Sequence, residues 1–301
     1  MHNIPPDKIS KSKIKLIECP RDAMQGWKYF IPTQKKIEYI NVLLQVGFDT
    51  IDFGSFVSHK AIPHMADTKQ VISQLSNVNG ETKLLAIVVN TRGAEEASAF
   101  DEITYLGFPF SVSPTFQLRN ANSTIDESFA RVEELQNLCI KNKKELVIYI
   151  SMGFGNPYGD KYDEEIVMSW VDKMSLMGIK IISMADTVGL AEPSQISSIL
   201  KKLIPQYPNI EIGVHLHSTP INWQQKIDAA LQTGCERFDG ALKGIGGCPM
   251  ANDDLVGNMN TELMISYFEK FSLIPKVNQD ALQKALVLAD EIFKSDPAQS
   301  S

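Results

Sequence analysis

Short apolar runs rich in β-branched residues recur along the chain, and the longer stretches between them carry apolar residues at helical spacing. Eight runs have the composition and flanking turn residues of strands. They are KIKLIEC (13–19), TIDFGSF (50–56), LLAIVVN (84–90), ITYLGFPFSVS (103–113), ELVIYIS (145–151), IKIISMAD (179–186), EIGVHLH (211–217) and RFDGALKG (237–244). The intervening stretches predict amphipathic helices. In TIDESFARVEELQNLCIKNKK, Ile125, Phe129, Val132 and Leu135 share one face, and Thr124 and Glu127 have capping-box spacing. Lysines 141, 143 and 144 gather at its end, where cations suit the helix dipole. Strands that are apolar nearly throughout, alternating with helices, belong to a parallel sheet covered on both faces. Eight such repeats with no break in composition predict an α/β fold, the closed (β/α)8 TIM barrel. Gly47, Gly178 and Gly234 each stand just before a strand, where a helix commonly ends in a left-handed turn.

The same pattern sets the domain reading. Residues 1–12 are expected to be a loose arm, and residues 13–301 a single barrel domain with additional C-terminal helices from about residue 260. A chain of 301 residues, 44% hydrophobic and 22% charged, has ample material for one large core. Its net charge of −7, without a basic patch, argues against a nucleic-acid partner. No apolar run has the length of a membrane span, and MHNIPPDKISKSK lacks the apolar segment of a secretory signal. The four cysteines, Cys19, Cys139, Cys235 and Cys248, form no CxxC pair, which points to a reducing, cytoplasmic setting.

In a barrel of this kind the active site lies at the C-terminal ends of the strands. The reactive side chains gather there. The first strand runs into ECPRDAMQ, with Glu18, Arg21, Asp22 and Gln25, and the second carries Asp52. The third ends at Asn90 and the sixth at Asp186. The seventh holds His215 and His217, which as alternate strand residues point to one side. Two such imidazoles are either satisfied core histidines or metal ligands. With Asp22 as a neighbouring carboxylate the set suits Mg²⁺, Mn²⁺, Zn²⁺ or Fe²⁺. Arg21 beside that ligand is either a rim ion pair with Glu18 or Asp52, or a guanidinium for a carboxylate or a developing enolate. After the eighth strand, GIGGCPM places Cys248 in a glycine-rich loop, where a thiol can act as acid or nucleophile if its surroundings tune it.

Taken together, KLIECPRDAMQ, TIDFGSFVS, SMADTVG, HLH and GIGGCPM followed by Gly257-Asn258 resemble the 3-hydroxy-3-methylglutaryl-CoA lyase family, from about Lys13 to beyond Asn258. The resemblance implies a divalent cation, Mg²⁺ or Mn²⁺, on Asp22, His215, His217 and Asn258. It also implies an acyl-CoA substrate, retro-Claisen cleavage to acetoacetate and acetyl-CoA as in leucine degradation, and a homodimer. In it Arg21 stabilises the enolate, Asp22 or His215 takes the hydroxyl proton, and Cys248 or His215 returns one. Gln25, Asp52, Asn90 and Asp186 line or support the site. The chain departs from the family pattern at Ala23, Asp52, Ser218, Lys243 and Met250. Lys243 either binds a phosphate or points to solvent. The rival readings are a related lyase, aldolase or synthase acting on another acyl-CoA or 2-oxo acid, and a barrel that only binds a ligand.

Overall fold

The computed structural model describes residues 14–76, 80–247, 256–274 and 276–294. Eight parallel strands close into a barrel: β1 (Lys15–Glu18), β2 (Thr50–Ser55), β3 (Lys83–Ile87), β4 (Ile103–Ser111), β5 (Glu145–Ser151), β6 (Ile181–Ala185), β7 (Glu211–His215) and, as the eighth barrel strand, β9 (Arg237–Gly240). The expected strands are all present, most of them a little shorter than their apolar runs. Between β7 and β9 lies a two-residue strand, β8 (His217–Ser218), which pairs antiparallel with β10 (Gly257–Asn258) outside the barrel. The run EIGVHLH is therefore not one strand. His215 ends the barrel strand, and His217 belongs to the small pair at its mouth.

The chain alternates its residues between two environments, as strands closed into a barrel require. Leu84, Ala86, Leu146, Ile148 and Ile150 join the main core beneath the helices. Their sequence neighbours Leu85, Ile87, Val147 and Tyr149 form a separate cluster with Ile181. The helices follow their sequence signals. α6 (Ile125–Asn142) opens on the Thr124–Glu127 capping box, with both reciprocal bonds made. Gly47, Gly178 and Gly234 have φ of 102°, 79° and 87°, the left-handed turns expected before β2, β6 and β9.

α10 (Thr261–Lys270) packs on β9, with the rings of Phe238 and Phe268 at 5.2 Å, and so occupies the place of the eighth repeat's helix. α11 (Gln279–Ile292) is the additional one and lies against α2 (Thr33–Leu43). One helix was not foreseen. Pro20 at its first turn starts the short α1 (Pro20–Gln25) directly after β1, and this turn carries Arg21, Asp22 and Gln25. No helix among the described residues is long and apolar enough to cross a membrane. The expected N-terminal arm lies outside the described residues.

Candidate metal centre and catalytic site

α1 turns the first strand's polar tail inward over the barrel mouth. Arg21, only 8% exposed, donates Nε to both Asp52 carboxylate oxygens and Nη2 to Asp52 Oδ2. Its Nη1 donates to Asp22 Oδ1 and to Gln25 Oε1, one helical turn on, both at 2.9 Å. Arg21 is thus a buried, doubly paired guanidinium and not a rim arginine. Burial works against its charge, but Asp52 and Asp22 outweigh that and hold it firmly protonated. Burial pushes Asp52 up to about 6, which leaves it ionised against Arg21 at neutral pH. A guanidinium has five N–H groups. These bonds engage four, which leaves one Nη2 proton without a partner among the described residues.

Asp22, His215 and His217 each place a ligand atom within 4.8 Å of the other two. The imidazole centroids are 5.5 Å apart. Asn258 joins them through the β8–β10 pair, whose register sets it directly opposite His217. Its Nδ2 donates to Asp22 Oδ2 at 2.8 Å and to the Ile245 carbonyl at 2.9 Å. Its Oδ1 is buried with no partner. An orphaned amide oxygen beside a carboxylate and two imidazoles is the donor set a hard or borderline divalent cation takes, so these residues fit a metal centre.

The protonation of two of the bare side chains, Asp22 and His217, agrees with this. Burial of Asp22 is outweighed by Arg21, His215 and the Asn258 bond, which hold its carboxyl down at about 2. Burial and the neighbouring His215 lower His217 to about 4, so it is a neutral ligand at neutral pH. Burial also opposes a charge on His215, but Asp239 and Asp22 raise it above its ordinary value. Cys19, His215 and Asp239 form a second group of the same compactness. It is a poor cation site: burial keeps the Cys19 thiol well above its usual range, and Arg237 Nε stands 4.0 Å from Asp239 Oδ1.

The remaining expected residues fall into place unevenly. Gln25 lines the cavity, whereas Asp52 supports Arg21 from below. Asp186 is turned away from the cavity. Its Oδ2 takes Lys226 Nζ at 2.7 Å and its Oδ1 the Ala191 amide at 2.9 Å. The same Lys226 donates to the His217 carbonyl at 2.7 Å, so Asp186 acts on the site through His217's backbone. Asn90 does not reach the site. Its side chain caps α4 (Thr91–Ser98), accepting the Gly93 amide at 2.9 Å. Lys243 neither meets the cavity nor points freely to solvent, because it pairs with Asp290 of α11. Cys248, Pro249 and Met250 lie outside the described residues. Cys19, Cys139 and Cys235 are free and buried.

Two contributors escaped the sequence reading. Lys226, on α9 (Trp223–Leu231), carries no sequence signal. Asp239 accepts His215 Nδ1 at 3.2 Å, and its alternation with Arg237 on the eighth strand could have singled it out. The site opens into a cavity of about 520 Å³. Arg21, Asp22, Gln25, His215 and His217 line it, together with an apolar wall of Ile87, Phe108 and Phe116 and a polar stretch of Asn120, Asn122 and Arg131.

The model of the HMGL-like family matches residues 13–288, the whole barrel and most of α11. The chain belongs to the HMGL-like family. Among its relatives, the cytoplasmic 3-hydroxy-3-methylglutaryl-CoA lyase of Rattus norvegicus is 32% identical over 285 residues, 94% of this chain and 81% of that protein. Hydroxymethylglutaryl-CoA lyase YngG of Bacillus subtilis is 31% identical over 274 residues, 90% of each chain. An HMG-CoA lyase from Acinetobacter baumannii, solved with coenzyme A and 3-methylmalate, superposes with a TM-score of 0.86 at 30% identity, covering 97% of this chain and 96% of that one. The carboxyl transferase domain of Rhizobium etli pyruvate carboxylase, at 14% identity and a TM-score of 0.66, shares the fold.

Proposed function

We propose that this HMGL-like chain is a carbon–carbon lyase that cleaves 3-hydroxy-3-methylglutaryl-CoA to acetoacetate and acetyl-CoA with Mg²⁺ or Mn²⁺ bound. The observation that carries the reading is the meeting of Asp22, His215 and His217 beside Arg21 on one cavity, with Asn258 bonded to Asp22 behind them and its Oδ1 left without a partner. The coenzyme A in the Acinetobacter structure supports an acyl-CoA substrate. A cation held by those four residues would act as a Lewis acid on the substrate's C3 hydroxyl and carboxylate, making that hydroxyl proton easier to remove.

The protein's own groups then handle charge and protons. Asp22 takes the C3 hydroxyl proton as general base, since His215 commits Nδ1 to Asp239 and its other nitrogen to the cation. The C2–C3 bond breaks, its electron pair passing to the thioester side, so acetoacetate leaves and the enolate of acetyl-CoA remains. Arg21 faces that negative charge with its remaining Nη2 proton, held in place beforehand by Asp52 and Gln25 so that little reorganisation is needed. Cys248 gives a proton to C2 and completes acetyl-CoA, and the proton held by Asp22 restores the thiol. A reducing cytoplasm, which suits a catalytic thiol, and a homodimer are the setting and assembly that go with this reading.

The test is product analysis with chelator-treated protein, 3-hydroxy-3-methylglutaryl-CoA and added Mg²⁺ or Mn²⁺, with Cys248→Ala alongside. Stoichiometric acetyl-CoA and acetoacetate, sharply reduced in the variant, are expected. Metal binding without either product would move the substrate to another acyl-CoA or a 2-oxo acid.

A further inference from the structure

Below the metal cluster, the barrel core contains charges that a fold of this kind does not need. Arg237 is completely buried, and its Nη1 donates to Glu211 Oε1 at 3.0 Å. Glu211 pairs in turn with Lys15. On the other side Arg237 Nε lies 4.0 Å from Asp239 Oδ1, and Asp239 Oδ2 is 3.2 Å from His215 Nδ1. Strand register produces this line. β9 lies between β1 and β7, with Lys15 and Gly213 beside Arg237, and His215 beside Asp239. Gly213 makes room for it: a Cβ there would stand 2.8 Å from the Arg237 side chain. Signs alternate from Lys15 through Glu211, Arg237 and Asp239 to His215.

Apolar residues of similar volume would fill a barrel core at least as stably as buried ions. The arrangement therefore calls for a reason other than stability. A ligating histidine performs best when its second nitrogen donates to a carboxylate, which fixes both tautomer and ring plane. We propose that Asp239 is the positioning residue of His215, with Arg237 as the buried cation beside it, 4.0 Å away and not hydrogen-bonded to it. With Nδ1 committed to Asp239, Nε2 is the nitrogen presented towards Asp22 and His217. The Tyr149 ring packs T-shaped against the imidazole, with centroids 5.9 Å apart and planes at 86°.

This inference rests on the metal-centre reading, and its test separates the two. Mn²⁺ affinity is measured by calorimetry on folded, chelator-treated full-length protein, with thermal unfolding alongside. Asp239→Asn, which leaves Arg237 with Glu211 as its one carboxylate, is expected to weaken Mn²⁺ binding by roughly 10–100-fold and to lower stability. The double variant Arg237→Met with Asp239→Asn removes both buried charges. It should regain stability and yet remain weak for Mn²⁺. A purely structural pair would recover both properties together, and wild-type affinity in the stable double variant would overturn the proposal. Absence of Mn²⁺ binding by the wild-type protein would instead count against the metal centre itself.

Discussion

Lys226→Met offers a sharp separation of stability from function. In the native chain Lys226 and Asp186 are each about 2% exposed, and the Lys226 ammonium also binds the His217 carbonyl. Removing the ammonium leaves the Asp186 carboxylate buried with only the Ala191 amide among these bonds. An uncompensated buried charge of this kind costs about 3–5 kcal/mol. At roughly 2–4 °C per kcal/mol for a large domain, the unfolding midpoint should fall by about 6–20 °C. The double variant Lys226→Met with Asp186→Asn carries no buried charge, and an amide still accepts from Ala191. It should recover at least half of the lost stability. Neither variant restores the anchor of His217, so both should bind Mn²⁺ more weakly than the wild type. Calorimetric unfolding and Mn²⁺ titration read the two effects apart. A midpoint within 2 °C of wild type for Lys226→Met, or a double variant no more stable than the single, would refute the reasoning.

Two further outcomes follow from other parts of the molecule. Gly246 has φ of 97°, and a Cβ there would stand 2.6 Å from Asn258 Nδ2 and 2.9 Å from the Ala23 Cα. Gly246→Ala should therefore displace Asn258 from Asp22 and weaken Mn²⁺ binding, and an unchanged titration would show that the loop has room to yield. Glu18 is fully buried under Leu242 and Thr261, and burial pushes it from 4.5 up to about 8. Between those values the folded chain holds a proton that the unfolded chain releases, so stability falls as pH rises through this window. Urea midpoints at pH 5.5 and pH 8 should differ less for Glu18→Gln than for the wild type, and equal differences would contradict the assignment.

The sequence carried the barrel because each strand repeats one signal, an apolar β-branched run ending in polar residues. The Thr124–Glu127 box and the left-handed glycines mark helix ends by local chemistry alone. Local chemistry also explains the failures. Asn90 stands before a helix, and a short amide in that position is claimed by the first turn's free N–H groups. The placing of Asn258 opposite His217 depends on a pairing of two residues with two, too short to leave a periodic trace. Lys226 and Asp186 meet across 40 residues of sequence, which no pattern along the chain encodes. Asp186 was expected to line the site, whereas in the structure it faces Lys226, which also bonds the His217 carbonyl.

The central claim is that Asp22, His215, His217 and Asn258 hold one catalytic cation. Its most direct test is to titrate chelator-treated protein with Mn²⁺ while following both bound metal and acetyl-CoA release from 3-hydroxy-3-methylglutaryl-CoA, for the wild type and Asp22→Asn. Binding and activity should rise together and saturate at one cation per chain, and Asp22→Asn should show neither. Full activity in the chelated wild type, or wild-type turnover in Asp22→Asn, would contradict the account.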